Sequence, residues 1–354
     1  MKKLASLALV LSMSLFAFVG CSKPAAETPA PAPAPEAPVA EAPAADAVKT
    51  GLAVISNAEK SKAPEADKEG TAEVNSVVVA VTVDKDGKIV KAAIDTAQTK
   101  INFTKEGKIT TDLAKVFEAK QTLGDEYGMK KASKIGKEWF EQANAFETFV
   151  EGKTVEEIKA FALDADTHLT DADMVSSVSI KVGGYIEAIE KAVANAQDLG
   201  ATADDKLGLG VITTIDKSKD AAADAEGVAQ AYTYYTVSTF DADGKVSSSI
   251  MDASQTNVKF DATGKITSDL AAELQTKNEL GDAYGMKKAS KIGKEWNEQA
   301  NAFSLYVVGK TVAEVEGIAV DAEGHTTAAD IVSSVTVGIA EFQETLAKAE
   351  ASAK

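Results

Sequence analysis

The sequence predicts an α+β fold present twice in tandem, on three observations. From Gly51 to Gln197, every residue can be laid without a gap on the residue 157 positions later, to the end of the chain. Each copy opens with β-branched, apolar runs punctuated by glycine turns. Helical periodicity then follows. A period of this size is too long for a solenoid and matches a whole domain. Strands followed by helices argue for a small antiparallel sheet with several helices in each copy. The expected organisation is a signal segment over 1–20, a tether over 21–50, a first repeat over 51–200 and a second over 201–354.

In the first copy, residues 77–83 read as a strand, Asp84-Lys85-Asp86-Gly87 as a turn, and Ile89 resumes the strand pattern. Residues 234–240 and Asp241-Ala242-Asp243-Gly244 repeat this. A second turn, Lys105-Glu106-Gly107-Lys108 (Ala262-Thr263-Gly264-Lys265), leads into helix signals near Thr111-Asp112 and Ser268-Asp269. The stretch 123–146 meets 280–303 with two differences, Glu126/Ala283 and Phe140/Asn297. Within it, Met129, Ala132, Ile135, Trp139, Ala143 and Phe146 fall three and four apart, which predicts an amphipathic helix from Tyr127 to about Phe149. Its lysines 130, 131, 134 and 137 then form a solvated face. Thr154-Val155-Glu156-Glu157 and Thr311-Val312-Ala313-Glu314 are capping boxes announcing the next helix. Last helices are expected over 180–195 and 337–353.

The N-terminus reads as an export signal. Lys2 and Lys3 precede an apolar run, closed by Phe18-Val19-Gly20-Cys21. This resembles a bacterial lipobox with Phe at its first position, and implies that Cys21 becomes a lipidated N-terminus. Multiple acyl chains give stable anchoring. With the chain's one cysteine so used, no thiol remains for a disulfide, a thiolate metal site or a cysteine nucleophile. Seven of the eight prolines lie between 22 and 50. Such a segment is extended at about 3.1 Å per residue, a reach on the order of 80–90 Å. The net charge of −17 disfavours nucleic acid and anionic lipid head groups as partners.

Before the last helix of each copy lies Asp173-Met174-Val175-Ser176-Ser177-Val178-Ser179, matched by Asp330-Ile331-Val332-Ser333-Ser334-Val335-Thr336. This resembles the covalent-FMN attachment motif, in which an Asp is followed by Ser/Thr-Gly/Ser-Ala/Val-Thr and the final Thr is esterified to FMN phosphate by a flavin transferase. Thr336 is the acceptor position in the second copy. Ser179 takes that place in the first, with the hydroxyl but without the methyl, so slower transfer is expected there. A hydroxyl ahead of a helix N-terminus also suits a phosphate. An ordinary serine-rich helix cap reads the same way without a ligand.

The run Gly124-Asp125-x-Tyr127 through Trp139-x-Glu141-Gln142-Ala143-x-Ala145-Phe146, the capping-box helix and the Ser-Ser-Val-Ser/Thr end resemble the PplA-type flavinylated lipoproteins of Gram-positive extracellular electron transfer. The resemblance covers both repeats, the tether and the signal. It implies two covalent FMN groups on a cell-membrane lipoprotein facing outward. Their electrons would come from a membrane NADH dehydrogenase through a quinone and pass to ferric iron or other external acceptors. In this reading the protein is an electron carrier without acid–base machinery of its own. Two other readings stand beside it: a flavin-free surface-binding lipoprotein, and a signal peptide whose fragment 12–20 serves as a pheromone.

The only histidines, His168 and His325, share one repeat position. They suit loop fixing; contact with FMN, or a metal site with Asp164 or Asp321, is the alternative, and one histidine per copy is thin for a metal. Trp139 and Trp296 suit a core position or a stacking surface. Asp84-x-Asp86-Gly87 lacks the remaining ligands of a calcium loop, so no metal is expected.

Overall fold

The apolar run 77–83 shows no alternation because both faces of its strand are covered. Val79, Val81 and Val83 pack with Trp139, Phe146 and Ile189 on one side. Val78 and Ala80 pack with Leu209, Tyr235 and Val237 of the second repeat on the other. The computed structural model describes residues 46–354; the signal segment, Cys21 and the tether as far as residue 45 lie outside the described residues.

The first repeat builds an antiparallel sheet in the order β1 (Lys49–Asn57), β2 (Gly70–Val83), β3 (Ile89–Phe103). Strand β4 (Phe117–Glu118) follows, then the helices α1 (Lys120–Leu123), α2 (Trp139–Val150), α3 (Val155–Lys159), α4 (Ala172–Val175) and α5 (Gly183–Ala194). The second repeat supplies β5 (Lys206–Thr214), β6 (Gly227–Phe240) and β7 (Val246–Phe260). Its helices are α6 (Lys277–Leu280), α7 (Trp296–Val307), α8 (Val312–Glu316) and α9 (Ala340–Ser352). The register repeats as well: β2 and β3 pair from Gly70↔Phe103 with a bulge at Thr82/Val83, and β6 and β7 from Gly227↔Phe260 with a bulge at Thr239/Phe240. The fold is α+β, as the sequence predicts, with both expected hairpin turns present. Asp84 and Asp241 each accept two backbone N–H groups through Oδ1, at 2.9 Å.

The two sheets pack face to face, and each carries its helices on its outer side. Phe103 and Phe260, equivalent positions, stack at the centre with ring centroids 4.2 Å apart and planes 8° from parallel. The repeats also exchange strand contacts: β4 pairs with β5 of the other copy, and Leu274 bridges back to Ser56. Lys348 reaches Glu118 at 2.9 Å, and Lys191 pairs with Glu279. Each C-terminal helix lies close on the first strand of its own sheet. A Cβ on Gly208 would stand 1.9 Å from the Ala349 carbonyl oxygen, and one on Gly51 would stand 2.1 Å from that of Ala192. Strand β1 takes in Lys49 and Thr50, so regular structure starts just ahead of the boundary expected at Gly51.

Three expectations need correction. The helix expected from Tyr127 begins at Trp139, and residues 128–138 form a loop. Gly128 (φ 74°) and Gly136 (φ 66°) turn the chain in the left-handed region, and Glu138 caps the helix that follows. Thr111 and Asp112 start no helix; Thr111 Oγ1 accepts the Asn102 N–H at 2.8 Å and Asp112 caps a turn, with helix appearing only at Lys120. The last helices begin at Gly183 and Ala340, three residues later than expected. Ser179 and Thr336 therefore precede them by a short loop. No helix among the described residues is long and apolar enough to cross a membrane.

Candidate functional site

Helix α2 organises the first site from its N-terminal end. At its start, the Glu138 carboxylate is 3% exposed and accepts Met129 N–H at 2.7 Å and Lys130 N–H at 2.9 Å. Glu141 completes the capping box by accepting the Glu138 N–H. The lysine-bearing loop is thus tied to the helix at a buried charge. One turn on, Gln142 is fully buried. Its amide nitrogen donates to Ser133 Oγ and to the Lys137 carbonyl, both at 3.1 Å. Its oxygen accepts the Ser179 N–H at 2.8 Å and the Ser179 hydroxyl at 3.1 Å.

The second repeat builds the same bonds. Gln299 donates to Ser290 Oγ at 3.1 Å and to the Lys294 carbonyl at 3.2 Å, and accepts Thr336 N–H at 2.7 Å and Oγ1–H at 3.0 Å. Val178 and Val335, each buried, anchor the residue before the hydroxyl. The expected acceptors are thus half-buried and oriented by a glutamine, rather than seated on a helix N-terminus. That glutamine escaped the sequence reading. Its one signal was an amide inside the apolar stripe, three residues after Trp139, in both copies.

The other motif residues sit further out. Asp173 is exposed in the first turn of α4, whose cap is Asp171, while Ser176 and Ser177 turn the chain towards Val178. Asp330 is exposed and accepts the Tyr306 hydroxyl at 2.7 Å; Ser333 is exposed and Ser334 half-buried.

Beside Ser179 opens a cleft of about 360 Å³. Tyr127, Trp139 and Tyr185 give it aromatic walls, and Lys120, Lys134 and Lys181 bring positive charge. Trp139 is 2% exposed and belongs to the helix-side core, yet one part of it lines the cleft; its Nε1 donates to the Tyr185 hydroxyl at 3.2 Å. That hydroxyl also bonds Thr96 Oγ1 at 3.1 Å, and burial pushes its pKa up to about 12. The Lys120 ammonium lies 4.6 Å from the Tyr127 ring centre and 5.4 Å from that of Trp139. Below it, Asp95 is buried and accepts Thr96 N–H at 2.7 Å and Gln121 N–H at 3.0 Å. Desolvation raises its carboxyl to about 6 against these bonds.

In the second repeat, Lys277, Tyr284 and Trp296 stand at the equivalent wall positions, with Phe342 in place of Tyr185. Lys277 is 3% exposed, and burial lowers its amine to about 8, with Asp252 opposing the shift. A further cleft of about 360 Å³ lies between the repeats, where Glu147, 2% exposed, accepts the Ile94 N–H at 2.6 Å and pairs with Lys354.

Each histidine closes an aspartate turn. Asp164 Oδ1 accepts Asp166 N–H and His168 N–H at 2.9 Å, and Oδ2 lies 3.1 Å from His168 Nδ1. Asp321 holds His325 likewise, at 3.3 Å. Asp321, Glu323 and His325 bring ligand atoms within 4.8 Å of one another in this exposed turn. The turn geometry accounts for that grouping.

No family model matches the chain, and no solved structure matches it. Over 42 residues, 12% of this chain, it is 60% identical to a chlorophenol reductase of Desulfitobacterium hafniense. The match spans 13% of that protein's length.

Proposed function

We propose that the protein is a membrane-anchored extracellular electron carrier with FMN attached covalently at Ser179 and Thr336. The observation that carries this reading is a hydroxyl held by a buried glutamine at an aromatic, lysine-lined cleft. The first-repeat residues fit the group. The cleft has the size of small-molecule sites, aromatic walls suit a planar ring system, and lysines suit a phosphate. FMN, when bound, supplies reversible electron transfer; position, shielding and electrostatics are the protein's part.

Attachment sets the chemistry asked of the hydroxyl. Its oxygen forms a bond to the phosphorus of an activated FMN donor as the P–O bond to the leaving group breaks. The hydroxyl proton starts out directed at Gln142 or Gln299, whose amide is no base, so a flavin transferase must accept it. In exchange, the glutamine fixes the oxygen and limits its rotation. Lipid on Cys21 and the Pro/Ala tether would hold the domains outside a Gram-positive membrane. There they take electrons from an NADH dehydrogenase/quinone chain and deliver them to ferric iron or other acceptors. A stretch shared with a protein named as a reductase accords with redox work.

Protein exported from a host carrying a flavin transferase should be yellow and keep its colour after denaturation and desalting. Correctly exported, colourless protein with no added FMN mass would refute the reading.

A further inference from the structure

The walls of the two sites correspond position by position, yet one lysine sits differently. Lys120 is half-buried and faces the Tyr127 and Trp139 rings. Lys277 is 3% exposed, with its ammonium 4.3 Å from the ring centre of Tyr232, 4.4 Å from Tyr284 and 4.9 Å from Trp296. It also donates to the Tyr232 hydroxyl. The difference originates in strand β6. Tyr232 stands where the first repeat has Asn75, and Tyr234 where it has Val77. Tyr232 stacks on Tyr234 with centroids 4.5 Å apart, and Tyr234 meets Phe342 edge-on at 5.5 Å. Asn75 instead turns its amide to Glu73 at 3.0 Å. A desolvated cation facing three aromatic rings is held by their quadrupoles as well as by its hydrogen bond.

We propose that the two sites differ in access. The cleft beside Ser179 stands open, whereas the equivalent space beside Thr336 is closed by Lys277 in its tyrosine–tryptophan cage and admits a planar aromatic ligand only when that lysine leaves. The ligand's class rests on the flavin reading above. The closed cage itself does not. Removing a cation from such a cage is expected to slow loading of the second site by about tenfold relative to the first. The methyl missing at Ser179 acts in the opposite direction, but only through freedom of a hydroxyl that Gln142 already restrains.

Two readouts test this on the full, flavin-free protein. The first is a pulse of a small amine-reactive reagent at about pH 7, mapped by peptide mass spectrometry. The Lys277 amine, lowered to about 8, is still mainly charged and caged there, yet holds more of the reactive neutral form than a lysine at the ordinary 10.5, so slow labelling reports access rather than charge. Lys120 should label about tenfold faster than Lys277, and Tyr232→Asn, which installs the first-repeat residue, should speed Lys277. The second is a time course with flavin transferase and an activated FMN donor. The Ser179 peptide should gain flavin first, and Tyr232→Asn should shorten the delay at Thr336. Equal labelling of Lys120 and Lys277 overturns the closed cage whatever happens with flavin. Protected Lys277 with Thr336 filling as fast as Ser179 overturns the gate. Protected Lys277 in a protein that takes flavin at neither hydroxyl, while a control substrate of the transferase is loaded, refutes the flavin reading and the ligand assigned to the gate with it.

Discussion

The side-chain oxygen of Gln142 accepts two hydrogen bonds from one residue, the N–H and the hydroxyl of Ser179, at 2.8 and 3.1 Å. Gln299 does the same for Thr336. A buried amide that spends its acceptor on one loop residue and its donor on another fixes both loops to the helix. Gln299→Leu keeps the volume but leaves the Thr336 N–H and the loop carbonyl of Lys294 without partners. It is expected to cost about 1–3 kcal/mol in denaturant unfolding. It should also lower flavin on the Thr336 peptide while leaving the Ser179 peptide unchanged. Equal losses on both peptides would mean that the glutamine acts on the fold alone.

Trp139 joins the core to the cleft. Trp139→Ala is expected to destabilise by about 3–5 kcal/mol through the cavity it leaves. Trp139→Phe keeps most of the packing and removes the bond from Nε1 to Tyr185, a cost of about 1 kcal/mol beyond the lost volume. Thermal unfolding checks the first effect. A Phe variant that melts normally but shifts the flavin potential would place the ring in direct contact with the cofactor.

The stack of Phe103 on Phe260 joins the repeats, so the described residues should unfold in one cooperative transition. Phe103→Ala is expected to cost about 3–5 kcal/mol. Calorimetry should show one transition in the parent protein. Two separated transitions already present in the parent would contradict a shared core.

Asp95 gives a pH dependence of definite sign. Its folded pKa, about 6, lies above the ordinary 3.8 of the unfolded chain, because burial disfavours the charged form. The folded state therefore binds more protons between about pH 4 and 6, and stability falls as pH rises through that window. Asp95→Asn keeps an oxygen for the Thr96 and Gln121 N–H groups and removes the charge. Relative to the parent, it should gain about 2–3 kcal/mol on going from pH 4 to pH 8. A variant whose unfolding free energy tracks the parent at every pH would show that Asp95 is ionised at no cost.

The strands, hairpin turns and capping boxes were legible because each is written locally. The pairing of the repeats was not. Val78 and Val79 are equally apolar, and nothing in the run tells which face meets helices and which meets a second sheet. Residues 128–138 misled for a related reason: Met129, Ala132, Ile135 and Trp139 keep helical spacing, yet Met129 and Ala132 line the cleft from a loop and helix starts only at Trp139. Gly128 and Gly136, at positive φ, and the buried Glu138 decide the matter, the last through bonds to the Met129 and Lys130 N–H groups that the apolar spacing does not display. Ser179 and Thr336 were legible as a motif, but the glutamines that orient them were not. Their contacts join residues 37 positions apart.

The most direct test of the central claim is peptide mass spectrometry of denatured protein exported from a flavin-transferase host, beside a Thr336→Val variant. Parent protein should carry one FMN phosphoester on the Ser179 peptide and one on the Thr336 peptide. The variant should lose the second, keep the first and remain folded. Flavin retained on the valine-containing peptide, or absent from both peptides of the yellow parent, would contradict the assignment of these two hydroxyls as the attachment points.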